Sequence, residues 1–127
     1  MRARLTRHLE DLERRLERQI NLAYATAAVP ASVRAAPEDT ARLKSSIRVF
    51  PDPALTWAPP LGLGVYVPSD AETAASDVRD LEPGEDAHVT VGVPYGPEQD
   101  ALHQFMRAGH AAGVAAVLAM PEPKGTA

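Results

Sequence analysis

The first 28 residues constrain the fold most, because their apolar side chains recur at the spacing of one helical face. They follow one another at steps of three or four residues: Leu5, Leu9, Leu12, Leu16, Ile20, Tyr24 and Ala27. Such steps return to the same side of an α-helix. The sequence therefore predicts an amphipathic helix over residues 3–28, about 39 Å long, which Pro30 and Pro37 stop or bend.

This helix has two interpretations. It is either an ordinary amphipathic helix that packs on a sheet, or a short coiled coil with a partner chain. Its opposite face carries arginine and glutamate, and the spacing of Glu10 and Arg14 allows a charge pair along the helix. The apolar stripe spans about three heptads, which is short for a coiled coil. Both interpretations stay open on the sequence alone.

Length and composition favour one globular domain. The chain has 127 residues, of which 45% are hydrophobic, and this suits a single domain, residues 1–127, with a real core. The absence of cysteine excludes disulfides and thiolate chemistry. No apolar run is long enough to span a bilayer, so we expect no membrane partner. We also expect no signal peptide, because no apolar segment follows the first arginines.

Charge is unevenly distributed along the chain. The formal net charge is -4, which argues against a general nucleic-acid binder. Residues 1–18 hold six arginines against four acids, whereas residues 70–100 hold nine acids and one base, Arg79. Such asymmetry is informative about partners rather than about the fold.

The middle of the chain predicts a small sheet. Period-two alternation predicts strands at residues 45–50, 61–67 and 88–95. Asp39 or Thr40 can cap a short helical turn before the first strand. The polar, acidic stretch 68–87 predicts a long loop with a helical turn at residues 71–81.

A second long helix is predicted near the end of the sequence. Its stripe contains Gly109 and Gly113, each of which costs about 1 kcal/mol relative to alanine, and close approach of another backbone would explain both. The domain then divides into a helix with linker, the strands with the acidic loop, the second helix and a frayed tail: residues 1–36, 37–97, 98–119 and 120–127. This order predicts an α+β fold, a small antiparallel sheet with the long N-terminal helix and the C-terminal helix packed on one face.

Candidate catalytic and metal-binding residues form no motif. HExxH spacing is absent around the four histidines, His8, His88, His103 and His110. Ser45 and Ser46 are nucleophiles by type only, since no G-x-S-x-G turn surrounds them. The basic residues near the first strand favour pairing with acids, on this chain or on a neighbour, over contacts with phosphate. We therefore expect no enzyme, no cofactor and no metal site.

Two segments resemble the minor tail and tail-completion proteins of long-tailed bacteriophages. TARLKSSIRV, residues 40–49, resembles the T-G-x-L-[RK]-x-S-I pattern of that family, with Ala41 where the family usually has glycine. VTVGVPYGPEQ, residues 89–99, is similar to the family's later strand and tyrosine segment. A predicted helix stands in place of the family's C-terminal signature. The branch stays open between a tail completion protein, a tail terminator and a neighbouring neck component.

The resemblance implies a structural virion protein and not an enzyme. Such proteins form a ring, typically a hexamer, between the head connector and the tail tube, and DNA passes through it without specific binding. The implied partners are copies of this chain, a head-completion or connector protein and a tail tube protein. The implied location is the virion neck or tail, after assembly in the host cytoplasm. The alternative, from the helix, is a dimeric coiled-coil adaptor or regulatory protein.

Two sets of residues are predicted to mediate this assembly. Candidate subunit salt bridges and aromatic anchors are Arg42, Lys44, Arg48, Trp57, Tyr66 and Tyr95. The acids predicted to face the DNA channel or a neighbouring subunit are Asp77, Asp80, Glu82, Glu85 and Asp86. A negative channel lining would avoid gripping phosphate.

Overall fold

The computed structural model describes residues 2–36, 41–61, 65–94, 100 and 104–121. The elements with described bounds are α1 (Arg2–Ala35), α2 (Ala41–Ser45), β1 (Ile47–Phe50), α3 (Ala71–Arg79), β2 (His88–Val91) and α4 (Phe105–Leu118). Helix α1 packs along α4 and also contacts α3 and a two-stranded antiparallel sheet. The α+β fold class that the sequence predicts is confirmed.

Helix α1 is longer than predicted, because it continues through Pro30. A proline inside a helix removes a hydrogen bond and costs about 3 kcal/mol. Ala25 and Val29 before it and Ser32 after it are buried at the centre of the domain, and this packing offsets the cost. Pro30 therefore does not stop the helix, which was one of the two outcomes that the sequence allowed. Pro37 and the predicted caps Asp39 and Thr40 lie outside the described residues.

The sheet has two faces with different surroundings. Ile47 lies opposite Val91 and Val49 lies opposite Val89 in the antiparallel register. Ile47 and Val49 are buried in the same hydrophobic cluster as the core residues of α1, so this is the core face. Neighbouring side chains on a strand alternate, and Arg48 therefore belongs to the outer face, away from α1.

Both strands are shorter than predicted. Serines at the end of α2 explain why β1 begins later than residue 45. The Ser45 hydroxyl donates to the Arg42 carbonyl at 2.8 Å, and the Ser46 hydroxyl donates to the Leu43 carbonyl at 2.7 Å. These local bonds close the helix, and β1 begins only after them. Strand β2 ends at Val91. The next residue, Gly92, packs against the backbone of Trp57, with which a Cβ at this position would collide.

The strand predicted at residues 61–67 does not form in the described part of that segment. Residues 61 and 65–67 have no strand structure, and Val65 and Val67 are 78% and 76% exposed. Prolines on both sides, Pro60 and Pro68, cannot donate to a sheet. The alternating valines therefore lie at the surface.

Helix α3 occupies much of the stretch predicted as a long loop. The Asp70 carboxylate accepts from the Thr73 backbone N–H at 2.9 Å, and the Thr73 hydroxyl accepts from the Asp70 N–H at 3.3 Å. This reciprocal capping box satisfies two backbone donors at the start of the helix. Buried Ala74 and Val78 then attach it to the core. The predicted helical turn is a nine-residue helix, and the loop prediction holds only for its flanks.

The helix predicted over residues 98–119 is interrupted at Gln104: residue 100 is helical, and α4 begins at Phe105 and packs as its glycines suggest. Gln104 has a left-handed backbone, with φ at 51°, which separates the helix from the residues before it. Residues 101–103 lie outside the described chain. A Cβ on Gly109 would lie 2.7 Å from the Ala28 carbonyl oxygen, and a Cβ on Gly113 would lie 2.5 Å from the Tyr24 ring. The predicted close approach is confirmed at Gly109, where the neighbour is the backbone of α1.

A candidate assembly surface

The amino-terminal half of α1 is exposed to solvent along its whole length. All residues from 2 to 20 are exposed, which corresponds to about 28 Å of helix. The leucine stripe of this half consists of Leu5, Leu9, Leu12, Leu16 and Ile20, with exposed fractions of 61%, 52%, 45%, 41% and 36%. Single exposed leucines are ordinary, but a continuous apolar row on a surface marks an interaction site.

The leucine stripe and the core residues lie on different sides of α1. With about 100° of rotation per residue, the stripe points roughly 160° away from the direction of Ala25 and Val29. The predicted apolar face from Leu5 to Ala27 is therefore not the face that builds the core. The leucines cannot reach the core by a small rotation of the helix. Leu5, Leu9, Leu12 and Leu16 therefore stay exposed in the described part of the chain.

A second apolar surface is formed by the proline segment, defined here as residues 51–61 and 65–68. Its exposed apolar side chains are Leu55, Trp57, Leu61, Val65 and Val67. Hydrogen bonds hold its two arms on α2 and on each other. Arg42 Nε donates to the Pro59 carbonyl at 3.0 Å, and the Tyr66 hydroxyl donates to the Pro60 carbonyl at 3.1 Å. The segment is thus an ordered surface.

The proline segment covers the outer face of the sheet. The guanidinium carbon of Arg48 lies 5.2 Å from the centre of the Trp57 ring, within the range of a cation–π contact. The backbone of Trp57 packs against Gly92, at the end of β2. Between the two arms lies an open groove of about 320 Å³, lined by Trp57, Val65 and Asp70 among others.

Arg48 and Asp77 form an ion pair at the floor of this region. Arg48 Nη2 lies 2.5 Å from Asp77 Oδ1, and Arg48 Nε donates to Asp77 Oδ2 at 2.8 Å. The hydrogen bond to Asp77 raises the pKa of Arg48. The same carboxylate accepts from the Val49 backbone N–H at 3.0 Å, so Asp77 also satisfies a donor on the free edge of β1. The pair connects α3 to the sheet.

The acids predicted to face a channel or a neighbour divide into two groups. Asp77 is buried and pairs within the chain. Asp80, Glu82 and Asp86 are exposed and Glu85 is half-buried. The loop that carries them is tied to α1 by Asn21, whose side chain donates to the Glu85 carbonyl at 3.0 Å and accepts from the Ala87 N–H at 3.3 Å. The exposed acids lie beside arginines of α1, since Arg14, Arg15 and Arg18 line one cavity with Glu82 and Glu85.

Four of the six predicted interface residues lie in the proline segment or contact it: Trp57 and Tyr66 belong to it, and Arg42 and Arg48 contact it. Lys44 lies nearby on α2, and its carbonyl accepts from the Ser69 N–H at 3.2 Å. Tyr95 lies outside the described residues. The sequence reasoning missed Val65 and Val67 as surface residues, although the flanking prolines were a usable signal.

Among the candidate catalytic residues, Ser45, Ser46 and His110 lie at hydrogen-bond distances that connect parts of the fold. The Tyr24 hydroxyl lies 2.6 Å from His110 Nδ1, a hydrogen-bond distance between α1 and α4, and burial raises the pKa of Tyr24. Across the described ranges, no three His, Asp or Glu side chains are grouped closely enough to hold a metal ion. None of the described helices combines the length and hydropathy of a bilayer span.

No family model, curated protein or solved structure matches this chain.

Proposed function

We propose that this chain is a structural subunit of the neck of a long-tailed bacteriophage. It acts as a tail-completion or head–tail joining protein, and copies of it form a ring, a hexamer as in the proteins that it resembles, between the head connector and the tail tube. DNA passes through the ring without specific binding. The chain works in the virion, after assembly in the host cytoplasm, and is not an enzyme.

The exposed leucine stripe carries this proposal. Five large apolar side chains lie in a row on a helix that extends into solvent, and the core lies on the other side of that helix. A contiguous apolar row of this kind is typical of a chain that buries it against another chain. The proposal therefore rests on an exposed apolar surface that suits assembly.

The segment that resembles the phage family builds the fold at the α2–β1 junction. Leu43 and Ile47 are completely buried, and the hydroxyls of Ser45 and Ser46 close α2. These residues support the scaffold that presents the proline segment. Such a role suits a structural subunit, in which these residues pack and do not react.

The exposed acids support the passage of DNA through the ring. Asp80, Glu82 and Asp86 would repel phosphate if they line the channel. The triple variant Asp80→Asn, Glu82→Gln, Asp86→Asn is expected to lower the yield of infectious particles about tenfold without changing the unfolding temperature. An unchanged yield would remove the channel role from this surface.

Immunogold electron microscopy of particles from the producing cells tests the proposal directly. Label at the junction of head and tail is expected. Label at the tail tip or on the head would keep the virion location and reject the neck. Particles without label, prepared from cells in which the chain is present by immunoblot, would contradict the proposal.

A dimeric coiled-coil adaptor is the second candidate, because the spacing of Leu5, Leu9, Leu12 and Leu16 also fits a short two-stranded coiled coil. An adaptor would be a dimer in sedimentation equilibrium and would be absent from purified particles. The two functions therefore predict opposite results in the same particle preparation.

A further inference from the structure

We infer that the leucine stripe of one copy packs on the proline segment of the next copy, head to tail. This inference rests on the proposed function and names the contact that builds its ring. It concerns two exposed apolar surfaces of the same chain, one on the amino-terminal half of α1 and one on the outer face of the sheet.

Within one chain the two surfaces come near each other only where Ile20 and Pro53 line one cavity, and the stripe from Leu5 to Leu16 lies on another side of the domain from the groove at Trp57. Helix α1 packs on the core face of the sheet, where Ile47 and Val49 join the cluster of Ala25 and Val29. The proline segment covers the opposite face through Trp57. A contact between the stripe from Leu5 to Leu16 and this groove therefore joins different copies.

Their shapes and chemistry are complementary. The stripe is a convex ridge of leucines at steps of three and four residues, and the proline segment borders an open groove with Trp57 and Val65 on its walls beside polar side chains such as Asp70. An amphipathic helix that inserts its apolar ridge into a hydrophobic groove is a recurrent mode of recognition. Trp57, 44% exposed, is the natural anchor.

Complementary charges orient this contact. Arg2, Arg4 and Arg7 lie at the tip of α1, and no acid precedes Glu10. Asp70 lines the groove, and Glu72 follows it in the first turn of α3. A basic tip beside an acidic rim attracts and orients the two copies.

Pairing of two leucine stripes with each other is a poorer use of the same surfaces. In a parallel pair the two arginine-rich tips would lie side by side and repel. In either orientation the exposed valines and leucines of the proline segment would remain in solvent. A head-to-tail contact covers both surfaces, and because it is heterologous it generates a ring when the rotation closes.

Cysteine cross-linking tests the contact cleanly, because the natural chain contains no cysteine. The variants are Leu9→Cys on the stripe and Val65→Cys in the proline segment, both at exposed positions. Asp11→Cys, on the opposite side of the same helix, is the matched control. Purified full-length proteins are mixed at high concentration, treated with a short bismaleimide and separated by mass, and the double variant is treated in the same way within particles.

Mixed Leu9→Cys and Val65→Cys proteins are expected to give one cross-linked dimer, and the double variant a ladder of higher species. Asp11→Cys mixed with Val65→Cys should leave the chain at monomer mass. Leu9→Cys that cross-links only with itself would overturn the inference in favour of stripe pairing. Absence of any Leu9–Val65 cross-link, both in concentrated protein and in particles, would also overturn it.

These outcomes separate the contact from the proposed function. Gold label at the neck without the cross-link rejects the head-to-tail contact alone. The cross-link in purified protein, together with particles that carry no label, rejects the neck and leaves a head-to-tail assembly of another kind.

Discussion

The two halves of helix α1 use their side chains in opposite ways. From residue 21 onward the helix packs against α3, α4 and the sheet, and its buried residues are small: Ala25, Ala28, Val29 and Ser32. From residue 2 to 20 it carries leucines and buries none of them. The leucines of α1 are thus exposed, and the helix builds its core contacts with smaller side chains.

This difference follows from how closely two helices approach. Gly109 lets the backbone of α4 come against Ala28 and Ser32, and small side chains on both helices are required at that distance. Leucines at the same place would hold the helices apart. Large apolar side chains are therefore excluded from this contact, and the leucines of α1 lie at its exposed positions.

Gly109→Val should produce the largest effect on the packed half. A side chain there collides with the Ser32 hydroxyl and the Ala28 carbonyl, so we expect a loss of about 3 kcal/mol in the free energy of unfolding. Ala108→Val, at an exposed position one residue earlier, is the control and should stay within about 0.5 kcal/mol. Urea denaturation measures both. Equal stabilities would mean that α4 does not pack closely on α1.

Asp77→Ala should be the next most destabilising change. It leaves the Val49 N–H and a partly buried Arg48 without their partner, for which we expect about 2 kcal/mol. Asp77→Asn keeps one acceptor and should lose less, while Asp80→Ala at the surface should lose almost nothing. An Asp77→Ala protein with natural stability would contradict the role of this ion pair.

Val29→Ala and Leu12→Ala compare the two halves directly. Val29 is completely buried, so its truncation should lower the unfolding free energy by about 2 kcal/mol. Leu12 is 45% exposed, and its truncation should change the free energy by less than about 0.5 kcal/mol. A larger loss for Leu12→Ala in the monomer would place the stripe in the core.

Alkaline pH should give the smallest difference. Burial raises the pKa of Tyr24 above its ordinary value near 10. As pH rises past that value, the unfolded chain loses the proton before the folded chain does, so folding stability falls between pH about 10 and the folded pKa. Tyr24→Phe should remove this part of the alkaline loss. If both proteins lose stability equally above pH 10, Tyr24 contributes nothing to it.

Local sequence patterns predicted the helices and strands better than they predicted which of these elements pack together. The steps of three and four residues gave α1, and the alternation at Ile47 to Phe50 gave β1. The same alternation predicted a strand at Val65 and Val67 that does not form. Alternation alone supplies neither a neighbouring strand nor a buried face.

The candidate site depended on contacts that are distant in sequence. The sequence selected four separate interface residues, Arg42, Arg48, Trp57 and Tyr66. Nothing local indicated that all four lie in the proline segment or contact it. Asp77 was grouped with the surface acids, since its position opposite Arg48 appears only when α3 docks at the edge of β1. Pairings across 29 residues, such as Arg48 with Asp77, depend on topology.

The fraction of protein that sediments with particles tests the division of α1 most directly. The variant Leu5→Gln, Leu9→Gln, Leu12→Gln, Leu16→Gln is expressed in place of the natural chain, and its fold is verified by circular dichroism. We predict a folded protein that remains at the top of the gradient, away from the particles. A folded variant that sediments with particles as the natural chain does would contradict the assignment of this half of α1 to assembly.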